Sequence, residues 1–177
     1  MPLVTDTSVL VETLSAVTEF SIGLAGFSGV AAALMQRSNA VSEFDRMRIT
    51  VNICLSLIPG FVAFLMLSLI NSGSDELTVI RFASGAIVVV YLAILPLTVI
   101  IRKRAGGFQR FNPFALGILI LTTLINLPLQ SYNWIAMPES AFGILIAGLS
   151  MFLLAGAANF AGLLWQMLGY DAAQSRA

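Results

Sequence analysis

Apolar residues run almost unbroken through five stretches, roughly 9–35, 49–70, 77–101, 114–134 and 141–168, and polar residues gather between them. Read as helices rising about 1.5 Å per residue, each stretch is long enough to cross a hydrocarbon layer of about 30 Å. An extended chain in lipid leaves its backbone groups unpaired, so helix is the economical state for such runs. The pattern predicts an all-α integral membrane protein, a five-span transmembrane helical bundle forming a single domain over residues 1–177.

The connections carry their own signals. Connection 36–48 holds Glu43, Asp45, Arg46 and Arg48 and reads as a short solvated turn. Asn71-Ser72-Gly73-Ser74-Asp75 is a turn and helix-start sequence, with Ser74 or Asp75 as the cap of the third span. Connection 102–113 holds an Arg-Lys-Arg cluster, a topology anchor or a contact to an anionic leaflet. Connection 131–140 carries Tyr132 and Trp134, which suit an aromatic belt at a membrane surface. Pro59, Pro96 and Pro128 fall inside spans, where each removes one helical hydrogen bond. Pro59 with Gly60 is the hinge candidate, a simple kink being the plainer reading.

Two spans repeat small residues on one face. In the first, Glu12, Glu19, Gly26 and Ala33 are seven apart, with Ala16 and Gly23 on the same side. A heptad drifts only about 20° around a helix, so these positions form one stripe. In the last span Ala141, Gly148, Ala155 and Gly162 repeat the device, with Asn159 and Gln166 alongside. Small residues let backbones approach closely, which is how membrane helices gain packing energy. Gly23, Gly26, Gly148, Ala155 and Gly162 are therefore the helix-packing candidates, with the first and last spans, or copies of the last, as partners.

The composition, 58% hydrophobic and 10% charged with mean hydropathy +0.94, fits this picture and no soluble one. The formal net charge is zero, which argues against nucleic acid as a partner. Membrane lipid, self-association or another membrane protein are the partners expected. The chain has no histidine and a single cysteine, Cys54, which removes an intrachain disulfide, imidazole-ligated haem and most zinc sites. Gly26-Phe27-Ser28-Gly29 has the form found around the nucleophile of rhomboid intramembrane proteases, but no histidine base exists to activate it. No enzyme, cofactor or metal is expected. The location expected is a bacterial inner membrane or plasma membrane, crossed several times.

Charge also orients the chain. Arg37, Arg46, Arg48, Arg102, Lys103, Arg104, Arg110 and Arg176 fall on one predicted side and Arg81 alone on the other. The positive-inside rule gives an outside N-terminus and an inside C-terminus. Asp6 is the only charge before the first span and no basic n-region precedes it, so that span is expected to persist.

Polar residues within spans supply the remaining candidates. Counting residues puts Glu12 outside the hydrocarbon and Glu19 at its outer edge, about 25 Å from the inner side. A carboxylate there needs a partner, a proton or a cation, and Arg81, entering the third span from the same side, is the natural partner. Asn126 and Gln130, four apart and sharing a face, lie at similar depth with Tyr91 nearby. Glu19, Arg81, Asn126 and Gln130 form the candidate ion-pair or ion site, while Asn52 reads as interfacial. Two functions remain open. One is a non-enzymatic small polytopic membrane protein acting through helix packing and association, as scaffold or accessory subunit. The other is an oligomeric ion or small-solute channel or transporter with a polar site in the outer half of the membrane. Whether Glu19, Asn126 and Gln130 converge on a cavity or interlock with neighbours separates them.

Overall fold

A computed structural model describes residues 7–37, 43–104 and 113–174. The described chain is all-helical: α1 (Thr7–Arg37), α2 (Glu43–Asn71), α3 (Glu76–Arg104), α4 (Pro113–Ala136) and α5 (Ala141–Gln174). Within it α1, α2, α3 and α5 are long and apolar enough to cross a membrane. Large apolar side chains stand outward on every helix, among them Phe27, Phe61, Phe82, Leu124 and Leu154. Such a surface would aggregate in water but suits lipid, consistent with a small membrane protein.

Helix α2 begins at Glu43, so the charged segment expected as a solvated turn is largely the first turns of a helix. The basic residues that set the orientation, with Asp6 and Gln166, lie outside the described residues or in helix stretches whose side chains are not described. All three span prolines sit inside unbroken helices.

Element ends follow local chemistry. Gly73 takes φ 85°, Gly73 N–H reaches Ile70 O at 2.9 Å and Ser74 N–H reaches Leu69 O at 3.1 Å. These bonds satisfy carbonyls left over at the end of α2, and the left-handed backbone they need favours glycine. Asp75 caps α3, its Oδ2 accepting from Thr78 N–H at 2.9 Å. Met137, at φ 45°, ends α4 with its N–H on Asn133 O at 3.2 Å.

Helix α5 packs against each of the other four. The α1–α2 pair lies on one flank and the α3–α4 pair on another, with α2 also touching α3. The apolar core runs along α5 through Leu145, Leu149 and Phe152, where Phe152 stacks on Tyr91 at 4.5 Å between ring centroids. Helix α1 is less covered than α2, α3 and α5, with 22% of its apolar stretch buried against 39%, 44% and 44% for theirs.

Candidate functional site

A row of amides on α4 joins three helices. Asn126, Gln130 and Asn133 follow helical spacing, so they share one edge, and all three are fully buried. Asn133 Nδ2 donates to Ala141 O at 2.9 Å, Gln130 Nε2 to Ile144 O at 2.8 Å and Asn126 Nδ2 to Gly148 O at 2.9 Å. Each step of three or four residues down α4 is matched by the same step up α5, which fixes the antiparallel register of the pair. The second amide hydrogens reach α3: Asn126 to Tyr91 Oη at 2.9 Å, and Asn133 to Ser84 Oγ at 2.8 Å.

The approach is close because Gly148 has no side chain. A Cβ there would fall on Gln130 Nε2 and lie 2.7 Å from Asn126 Oδ1. The Asn126 oxygen therefore sits where a side chain at position 148 would have to go. Asn126 Oδ1, Gln130 Oε1 and Asn133 Oδ1 have no conventional hydrogen-bond partner. Neutral amides with hydroxyls can bridge helices and fix register; they offer no ready acid, base or nucleophile.

Arg81 closes the same end of the bundle. Its Nε donates to Trp134 O at 3.0 Å. That carbonyl belongs to the last turn of α4, where no helical N–H follows, and residue 138, four positions on, is proline. The indole of Trp134 lies over Gly85, where an added Cβ would meet its Nε1 at 3.1 Å.

The Glu19–Arg81 pair expected from the sequence is not formed. Glu19 is exposed on α1, which packs mainly on α2 and α5, while the Arg81 guanidinium turns to the end of α4. Asn126 and Gln130 come together, but with α5 and not with Glu19. Gly148 lies against α4, and not against the first span or a second copy as its stripe suggests. Ala155 and Gly162 are buried on α5. Gly23 and Gly26 are exposed, and a Cβ added at either would meet nothing within 4 Å. Gly60 meets α1 instead of marking a break: a Cβ there would lie 2.6 Å from Ser21 Cβ.

A second polar layer lies between α1 and α2. Asn52, read as interfacial, is fully buried and donates from Nδ2 to Ser28 Oγ at 2.8 Å. Ser56, packed near Gly156 of α5, donates to Asn52 O at 2.8 Å. Asn133 and Ser84 are not singled out by the sequence, although the spacing of Asn133 from Gln130 extends the face already recognised. Ser84 carries no such signal. The chain matches no known protein-family model, curated protein or solved structure.

Proposed function

We propose that this is a non-enzymatic polytopic membrane protein, crossing the bilayer five times, that acts by association as a scaffold or accessory subunit. The observation that carries the reading is the uncovered face of α1, where Glu19, Gly23 and Gly26 are exposed while the amides Asn52, Asn126, Gln130 and Asn133 turn inward. Asn126 and Gln130 interlock with α5 backbone, the arrangement expected of groups that hold a bundle together. The second reading is an oligomeric channel or transporter for an ion or small solute. It draws on the three buried amide oxygens of α4, those of Asn126, Gln130 and Asn133, which lack conventional partners.

Site-directed cross-linking separates the two. In a Cys54→Ser background, Gly26→Cys should form a discrete cross-linked species in native membranes, and Leu124→Cys, exposed on α4, should not. Equal cross-linking at both positions, together with a liposome flux abolished by Asn126→Leu, would favour the channel.

A further inference from the structure

We infer that the uncovered face of α1 docks a transmembrane helix of a different protein, one carrying a lysine or arginine near the bilayer midplane opposite Glu19. The inference rests on the association reading above and names the partner's chemistry.

Helix α1 carries two seams with alternating steps of three and four residues. Leu10, Leu14, Val17, Ser21, Leu24, Ser28 and Ala31 form the first, and all are buried. Glu12, Ala16, Glu19, Gly23, Gly26 and Ala33 lie on the second, and all are exposed. Alternation of three and four is the spacing by which helices pack at shallow angles, and Ala16, Gly23 and Gly26 leave room for a close neighbour.

Depth makes Glu19 the decisive residue. Ser21 lies against Gly60, which is eleven residues, about 16 Å, from the end of α2 at Asn71. Glu19 is two residues nearer that end, hence about 13 Å below it and close to the middle of a 30 Å core. This is deeper than the edge position obtained by counting along α1 alone. A carboxylate side chain is too short to reach headgroups from there, and an unpaired charge in hydrocarbon is costly. Glu19 has no ion-pair or hydrogen-bond partner among the described residues.

A second copy does not supply the missing charge. Copies share one orientation, so α1 against α1 sets Glu19 against Glu19. Arg81 starts only about 7 Å into α3 and is held at Trp134. Every other basic residue falls at positions 37–48, 102–110 or 176, at or beyond the ends of the apolar runs. Charge complementarity therefore selects a foreign helix with a cation at matching depth, where low dielectric strengthens a close pair.

The test uses a synthetic single-span Leu/Ala helix with a glycine seam, carrying Lys or Leu at its centre. It is reconstituted in phosphatidylcholine vesicles with the full chain labelled at Ser72→Cys in a Cys54→Ser background. Energy transfer should show the Lys helix binding at least about tenfold tighter than the Leu helix. Glu19→Gln should erase that preference and Glu19→Asp should keep part of it. Unchanged thermal melting of Glu19→Gln would show that the fold survives. Equal binding of both helices, abolished by Gly26→Leu, overturns the charged partner and leaves association standing. So does transfer between two labelled copies of the chain that Gly26→Leu abolishes and the Lys helix does not compete away. Absence of all these associations overturns both readings.

Discussion

Gly148 and Gly29 are both helix-interior glycines, and their surroundings set them apart. A methyl group at Gly148 would strike the Gln130 amide and crowd Asn126, forcing apart the α4–α5 ladder. At Gly29 nothing lies within 4 Å of the same position. Gly148→Ala should therefore lower stability by about 1–3 kcal/mol, from strain and loosened amide bonds. Gly29→Ala should stay within about 0.5 kcal/mol of the parent. Thermal melting in one detergent compares them, and equal loss at both positions would contradict the ladder. The sequence makes Gly148 legible as a close-approach residue through its heptad stripe. It does not reveal the partner, because a small residue announces room for a neighbour and not which neighbour fills it. Asn52 escapes the sequence for a related reason. Its position near a helix end suggests an interface, whereas the facing Ser28 on α1 gives it a buried partner.

Helices themselves are legible because unbroken apolar runs admit little else in lipid, and the turn residues mark several ends correctly. Asp75 and Gly73 stand where capping and left-handed backbone require them. Pairings between helices are less legible, since they depend on which faces meet. The expected Glu19–Arg81 pair follows from similar sequence-counted depth, but depth says nothing of lateral position. Arg81 instead serves α4, supplying a donor to a terminal carbonyl that the helix leaves open. Replacing it by Met should cost about 1 kcal/mol, below the usual range for a charged hydrogen bond because Arg81 is exposed. Amide exchange near Trp134 should rise in the same variant. Glu19→Gln should leave melting unchanged, and the double variant with Arg81→Met should be additive, as distant residues are. Recovery of stability in the double variant would restore the ion pair.

At the scale of the whole molecule, α5 organises two helix pairs, and the small-residue stripes of α1 and α5 meet opposite fates. The α5 stripe is buried because four helices surround it; the α1 stripe is exposed because α1 sits at the flank and turns its other seam inward. Heptad spacing alone cannot tell these apart, since both stripes satisfy the same rule. The arrangement does tie two connections to one end of the bundle. Arg81 and Ser84, near the start of α3, bond to Trp134 and Asn133, near the end of α4, and Asn133 also bonds to Ala141 at the start of α5. The α2–α3 and α4–α5 turns must then face the same side of the membrane. If all five helices cross, with the basic connections inside, that side is the outside and connection 102–113 is opposite. In a Cys54→Ser background, an impermeant maleimide applied to sealed cells should label Ser72→Cys and Glu139→Cys but spare Ala105→Cys until the membrane is opened. Labelling of Ala105→Cys alone would keep the bundle and invert its orientation. Labelling of Ser72→Cys without Glu139→Cys, with both reactive after lysis, would break the shared end and with it the crossing by α4.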